Sequence, residues 1–302
     1  MPRPSFLIVG AAKSGTTSLA AYLAQHPDVF FSSVKEPNYF ALAGSDRPPL
    51  GPAPPHVIEG ALYNRSRTDW PSYLALFEGA EGKRAIGEAS VRYLYFEDAP
   101  PRIRATLPQV RLIVLLRDPV SRPYSHYNMN RRILLEPLEL AGAAAAEPER
   151  IAAGWGWDWH YVQAGLYARQ LRRYFDLFAR EQIAVFLYDD FQRDPLGVYR
   201  AACRHIGVDD GFVPDMSERS KAGSRPRNAA LARWLWWPSR TRRRLLRHAR
   251  PVAAPLIGRL KDWNAAPIPK MDPATRRALI PRFRDDLNEL ALLLGREIPW
   301  YR

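Results

Sequence analysis

The chain has 302 residues, 47% of them apolar, enough to fill a sizeable core and to exclude extensive disorder. Its 44 Lys and Arg against 31 Asp and Glu give a formal charge of +13, which favours anionic ligands such as nucleotides, acidic glycans, nucleic acid or anionic membranes without choosing among them. The single cysteine, Cys203, excludes an internal disulfide and a cysteine-based metal cluster.

Phe6-Leu7-Ile8-Val9 is a continuous apolar run ending at Gly10, the pattern of a buried parallel strand entering a tight turn. The run is too short for a signal-peptide core, and nowhere does the sequence reach the ~18 apolar residues of a membrane-spanning helix, so a cytoplasmic protein is expected. After Gly15-Thr16-Thr17, Leu19, Tyr22 and Leu23 fall at helical spacing towards His26-Pro27. Short strands are expected at Val29–Phe31 and Arg84–Gly87, with the Pro- and Gly-rich stretch from Gly44 to Gly60 between them as a long loop. Arg111–Leu116 is the clearest strand, and the Asp118-Pro119 pair that follows it starts a helix running to about Arg132. Ala141–Ala146 reads as helix or loop, Tyr161–Arg180 as a helix, and Ile183–Tyr188 as a late strand. Strands alternating with helices predict a mostly parallel sheet with helices on both faces.

Beyond the core, Arg219–Arg250 gathers many Arg residues with Trp234, Trp236 and Trp237 into an appendage expected to fold onto the body. Met271-Asp272-Pro273 opens a last helical segment, with Leu279, Phe283, Leu287, Leu290 and Leu294 at helical spacing up to Gly295. The chain reads as one domain over 1–302, with a core at about 5–205, a basic Trp/Arg-rich segment at about 219–262 and a C-terminal helix at about 272–295.

A strand that ends in a glycine turn and opens a helix offers backbone N–H groups and a positive helix end to an anion, and Lys13 adds a point charge. The turn Gly10-Ala11-Ala12-Lys13-Ser14-Gly15-Thr16-Thr17 is therefore a phosphate or sulfate cradle. It is not a Walker A loop, because its lysine precedes Gly15 by two residues. The strand Arg111–Leu116 delivers Arg117 where a magnesium-dependent phosphotransferase often places Asp. Ser121 and Ser125, four apart on one predicted helix, are both within reach of a second anion, and spacing alone does not choose between them. Arg122 on the same helix reads as a solvated side chain.

Phe6–Thr17 resembles the 5'-phosphosulfate loop of sulfotransferases, and Arg117-Asp118-Pro119-Val120-Ser121-Arg122-Pro123-Tyr124-Ser125-His126-Tyr127 resembles their 3'-phosphate motif. Lys35-Glu36-Pro37-Asn38-Tyr39-Phe40 is similar to the heparan sulfate branch and its bacterial relatives. The resemblance covers about residues 5–205 well and 262–302 loosely. It implies a P-loop NTPase-like three-layer α/β fold and a 3'-phosphoadenosine-5'-phosphosulfate donor, with no metal required. On that resemblance Lys13, Ser14, Gly15, Thr16 and Thr17 contact the 5' phosphate, Lys13 also as the electrophilic catalytic residue, while Arg117 and Ser125 hold the 3' phosphate. Glu36 matches the catalytic base of the heparan sulfate branch.

Glu88 matches a residue of the acceptor cleft in that branch, and Lys35, Glu88, Ser90 and His160 are the acceptor-side candidates. The family's functional lysine after Glu88 is replaced by Ala89, which leaves the acceptor class open. The basic loop Lys221-Ala222-Gly223-Ser224-Arg225-Pro226-Arg227 lies where the family closes over the nucleotide, with Lys221 or Arg227 as the 3'-phosphate contact. The later loop of the vertebrate branch corresponds to Trp263–Pro267, which lacks its basic residues. His26 and His126 read as structural. No His pair has zinc-site spacing.

The expected activity is sulfuryl transfer to a hydroxyl or amine of a carbohydrate, a lipid-linked acceptor or a small alcohol. The alternatives are a P-loop nucleotide kinase or NTPase and a non-enzymatic binder of anions or membranes. Residues 233–250 suggest peripheral contact with the inner membrane surface. Nucleic acid is not an expected partner, since no recognised module is present, and the oligomeric state is open.

Overall fold

Alternate residues of the central strands divide between two cores, and that division builds the layers. The strands are β1 (Phe6–Gly10), β2 (Val29–Phe31), β3 (Ala85–Ala89), β4 (Arg111–Leu116) and β5 (Ile183–Leu187) in the computed structural model, which describes residues 2–45, 50–217, 223–237 and 250–301, with 250–254 as backbone alone. Leu7, Val9, Leu112, Val114 and Leu116 point into one core with Phe40, Tyr73, Tyr93 and Tyr167. Phe6, Ile8, Ile113 and Leu115 point into the other, against Leu19, Tyr22 and Leu23 of the helix Thr16–Leu23 and Tyr199, Ala202 and Cys203 of the helix Pro195–Ile206. Period-two burial on both faces is what a parallel sheet covered by helices requires.

The five strands are parallel in the order β2-β3-β1-β4-β5. The chain leaves β1 towards β2 and β3 on one side and returns to β4 on the other. The carboxyl ends of β1 and β4 therefore flank the crevice at which open α/β sheets bind ligands.

The expected strands are all present, with small shifts at their ends. Three helical expectations change. The stretch expected as a loop contains the helix Pro55–Ile58, with proline at its first position, running into a wide turn at Glu59–Tyr63. The helix expected over Tyr161–Arg180 is a short 3-10 turn, Gln163–Gly165, and a helix confined to Tyr167–Phe175. The C-terminal segment breaks at Pro281 into the helices Pro273–Leu279 and Arg284–Leu294, the latter capped by Gly295 in left-handed backbone.

A buried ion pair fixes the chain that leaves β3. Arg92 donates to Asp158 at 3.2 and 3.3 Å and lies over the Tyr63 ring, whose hydroxyl donates to Asp158 at 2.7 Å. Removing one partner of such a pair strands the other charge in the core, at a cost of about 3–5 kcal/mol. Asp158→Ala is expected to lower the urea unfolding free energy by about that much, whereas a loss under about 1 kcal/mol would show that water reaches Arg92.

Candidate active site

Between β1 and the helix Thr16–Leu23 the backbone takes left-handed conformation at Lys13 (φ 69°) and at Gly15 (φ 89°). Gly15 admits no side chain, since a Cβ would stand 2.9 Å from the Tyr188 ring. Ser14 Oγ is buried without a hydrogen-bond partner, beside a helix N-terminus whose first N–H groups lack intrahelical acceptors. Thr16 is buried and Thr17 exposed. A buried hydroxyl left unpaired at a helix start fits an anion-binding loop.

Arg117 stands at the end of β4, across the crevice. Its Nη1 donates to the Lys13 carbonyl at 3.0 Å, its guanidinium lies 4.9 Å over Tyr188, and its own carbonyl accepts from Tyr167 Oη at 2.8 Å. It has no carboxylate partner among the described residues. The neighbouring Asp118 is engaged elsewhere, accepting from Val120 N, Ser121 Oγ and Arg276. Asp118 thus braces the turn that enters the helix Ser121–Arg132, which begins two residues after the expected start at Pro119 and has Val120 at its N-cap. It also occupies the Ser121 hydroxyl and leaves Ser125, half-buried, as the serine with a hydroxyl available.

Two expectations on this helix and its neighbour are corrected. Arg122 is fully buried: Nη2 donates to the Tyr161 carbonyl at 2.5 Å and Nη1 faces His126 Nδ1 at 3.4 Å. Burial, with Arg122 and Lys13 nearby, holds His126 well below the ordinary imidazole range, so it stays neutral. In the late basic loop, β6 (Ser224–Pro226) pairs antiparallel with β7 (Ala265–Pro267), so the two loops that sequence treats as substitutes are hydrogen-bonded to each other. Arg227 turns away to the Ala265 carbonyl, whereas Arg225 meets the helix Ser121–Arg132 through Asn128 Oδ1 at 2.6 Å, one turn beyond Ser125. Lys221 lies outside the described residues.

The carboxylates gather at the end of β3. The Glu36 N–H donates to the Ala89 carbonyl at 2.9 Å, Glu36 Oε2 accepts from Val91 N at 3.1 Å, and Lys35 donates to Oε1 at 2.6 Å. Glu36 holds φ at 63°, a left-handed conformation that costs a non-glycine residue about 1–2 kcal/mol. The carboxylate is part-exposed and points to the same pocket of charge as Lys13. Glu88 is displaced from its expected place in the acceptor cleft: it is fully buried, accepting from Ser90 Oγ at 2.8 Å and Tyr73 Oη at 3.2 Å. Ser90 is buried too, and accepts from Asn38 N at 3.0 Å, so this pair braces the Glu36 loop from behind. His160 is likewise committed, with Nδ1 to Tyr95 Oη at 2.6 Å and Nε2 to the Trp155 carbonyl at 3.1 Å. It is not free to meet an acceptor.

Burial and the surrounding cations Arg132, Lys35 and Arg117 push Lys13 down to about 8, while Glu36 acts in the opposite direction. Arg132, absent from the sequence reading, has a buried Nε without a partner and stacks on Trp236 at 5.2 Å. Lys35 is paired with Glu36, so Arg117 and Arg132 are the cations near Lys13 with no carboxylate partner among the described residues. Tyr188 and Arg225 were missed because each arrives from a distant segment, and Arg132 because the sequence marks it only as the end of the helix that carries Ser125. Only Arg225 carried a signal, as a third basic residue in the loop already singled out. Among the described residues no group of three His, Cys, Asp or Glu is placed to hold a metal ion.

Residues 3–221 match the family model described as the sulfotransferase domain. The chain is 32% identical over 140 residues to the membrane-associated sulfotransferase kil1 of Dictyostelium discoideum, covering 45% of this chain and 26% of that protein. It is 25% identical over 217 residues to the human bifunctional heparan sulfate N-deacetylase/N-sulfotransferase 3, covering 68% and 22% respectively. These matches span about a quarter of each relative's length. A crystal structure of a sulfotransferase from Alicyclobacillus acidocaldarius superposes with a TM-score of 0.76 at 33% identity, covering 99% of this chain and 98% of that one. The three-layer, P-loop NTPase-like fold is the expected one.

Burial pushes the Glu88 carboxyl up to about 7 from about 4.5, so the folded protein retains a proton that the unfolded chain releases. Its stabilising contribution is complete below the unfolded value and is lost as pH rises through the folded one. Glu88→Gln should flatten this dependence, the wild-type melting temperature falling relative to the variant between about pH 5 and 8. Parallel melting curves would show that Glu88 is charged in the fold.

Proposed function

The chain belongs to the sulfotransferase domain family, and we propose that it transfers a sulfuryl group from 3'-phosphoadenosine-5'-phosphosulfate to a hydroxyl or amine of a carbohydrate, lipid-linked or small-alcohol acceptor. The observation that carries this reading is the convergence of two cationic strand ends at the switch point, with Arg117 hydrogen-bonded to the Lys13 carbonyl and free of any described carboxylate. The residues present fit the donor: Ser14 Oγ lacks a partner, Gly15 leaves room for close backbone approach, and Ser125 and Arg225 adjoin one face of the helix beyond Arg117. When bound, the donor supplies a sulfuryl group whose leaving atom is a phosphate oxygen.

In this reading Lys13 and the N–H groups of Ser14–Thr17 hold the 5' phosphate and stabilise the charge left on it as the sulfur–oxygen bond breaks. Arg117 and Ser125 hold the 3' phosphate, with Arg225 in the closing position assigned from sequence to Lys221 or Arg227. Glu36 accepts the proton that the acceptor loses as its oxygen or nitrogen bonds to sulfur. Lys35 donates to that carboxylate at 2.6 Å and helps to orient it. Glu88, Ser90 and His160 support the acceptor wall without touching the acceptor. The kinase and non-enzymatic alternatives lose their footing, since the family match supplies an activity that needs neither a Walker lysine nor an acidic strand end.

Titration calorimetry with adenosine 3',5'-bisphosphate tests the donor assignment. Arg117→Ala should weaken binding by about tenfold to a hundredfold, the range of a charged hydrogen bond, and unchanged affinity would remove Arg117 from the site. Glu36→Gln should leave that affinity intact and reduce sulfate transfer, read by mass spectrometry over a panel of glycans and alcohols, by about 10²–10⁴. Retained turnover would reassign the base. Because Lys13 titrates at about 8 in the free protein, kcat/KM for the donor should fall above that pH, and Lys13→Arg should abolish the fall.

A further inference from the structure

A cavity of about 550 Å³ opens between the end of the helix Arg92–Tyr95, the helix Glu147–Ala152 and the helix Tyr167–Phe175. That volume falls within the roughly 300–1,000 Å³ typical of small-molecule sites. Phe96, Ile151, Val162 and Leu166 give the cavity an apolar wall, and Arg169, Arg173 and Arg282 bring three guanidiniums to it. None of the residues assigned to the donor or to proton transfer lines it. Tyr95 and Phe96 pack on the small cluster of Ala12, Val91, Trp157 and Ala164, which joins the cavity wall to the Lys13 turn.

The polar groups of the lining divide into those already engaged and those that are not. Tyr95 Oη meets His160 Nδ1 at 2.6 Å, and Gln170 Nε2 donates to the Gln163 carbonyl at 2.9 Å. Glu147 is buried, with one oxygen accepting from Val162 N at 2.7 Å and the other from Gln163 N at 2.8 Å. Glu97 is shared, accepting from Arg173 at 2.5 Å and from Arg169 at 3.3 Å. Arg282 donates to the Ala144 carbonyl at 3.0 Å and has no carboxylate partner among the described residues. Three arginines thus face two glutamates, and the excess is one positive charge on a guanidinium that only a carbonyl engages.

This balance selects the ligand. A neutral apolar molecule would fill the wall and leave Arg282 unmatched. A polyanion would match Arg282 and set its further charges against Glu97, Glu147 and the apolar side chains. A molecule with an apolar body and one acidic group satisfies both halves, since the body covers Phe96, Ile151 and Leu166 while a guanidinium takes the acid. The tryptophan-rich segment for which sequence suggests membrane contact offers no comparable site. Trp237 donates to the Ile133 carbonyl and Trp236 sits between Arg132 and Lys261, while residues 238–249 lie outside the described part of the chain.

We infer that the cavity between Phe96, Ile151 and Arg282 is a binding site for a small amphipathic monoanion, separate from the donor crevice. The inference is independent of the proposed sulfuryl transfer. Titration calorimetry of the full chain with octyl sulfate is the test, with octanol and inorganic sulfate as the two half-ligands. Each half-ligand should bind about tenfold or more weakly than octyl sulfate. Arg282→Gln, whose amide still reaches towards the Ala144 carbonyl, should weaken octyl sulfate about tenfold and leave octanol unchanged. Ile151→Asp, at a part-exposed position, should weaken octyl sulfate at least as much while keeping the melting temperature and the affinity for adenosine 3',5'-bisphosphate. Octanol binding as tightly as octyl sulfate would overturn the assignment, because the arginines would then play no part. So would octyl sulfate binding that adenosine 3',5'-bisphosphate displaces and Ile151→Asp leaves intact, which would put the anion in the donor crevice.

Discussion

One hydrogen bond, from Arg117 to the carbonyl of Lys13, joins the two strand ends that make the crevice. It is available only because β1 and β4 are neighbours in register while the connections from β1 and into β4 run to opposite sides of the sheet. The bond neutralises nothing, since its acceptor is a carbonyl, and so Arg117 arrives at the crevice with its charge intact. Lys13, Lys35 and Arg132 add to it, and burial pushes Lys13 down to about 8. The fold thus holds these cations together against their repulsion. The left-handed backbone at Lys13 and Glu36 is a second cost carried at the same place.

Much of this frame was legible from residue order. The central strands announce themselves because both faces are buried and the apolar runs are unbroken, and Asp118-Pro119 marks the turn just before the next helix. The glycine turn at Lys13 and the strand end at Arg117, each legible from a short stretch of sequence, lie side by side. What failed was decided by packing. The helix expected over Tyr161–Arg180 is broken at Leu166 (ψ 81°), beside Gly165, where a Cβ would stand 2.8 Å from Phe283, a contact that periodicity cannot register. Arg122 looked solvated, since nothing in its local sequence reveals the Tyr161 carbonyl that receives it.

The acceptor side was less legible than the donor side for a related reason. Glu88, Ser90 and His160 are polar residues at loop or strand ends, where sequence favours exposure. Each is instead consumed by a partner from another segment: Tyr73, Asn38 and Tyr95 in turn. They form the rigid backing of the Glu36 loop, which leaves Glu36 itself as the part-exposed carboxylate of that wall. The Lys13 turn is built from backbone and motif, whereas the wall around Glu36 is built from long-range contacts.

The antiparallel pairing of Ser224–Pro226 with Ala265–Pro267 has a temporal side. Arg225 reaches Asn128 from a strand whose partner, among the described residues, is encoded some forty residues later. During synthesis the sheet, the loop and Arg117 can assemble while the ribosome is still translating the C-terminal third. The edge that seats Arg225 forms only after residue 267 has emerged, so a nascent chain can build the crevice between β1 and β4 before the strand pair that adjoins it.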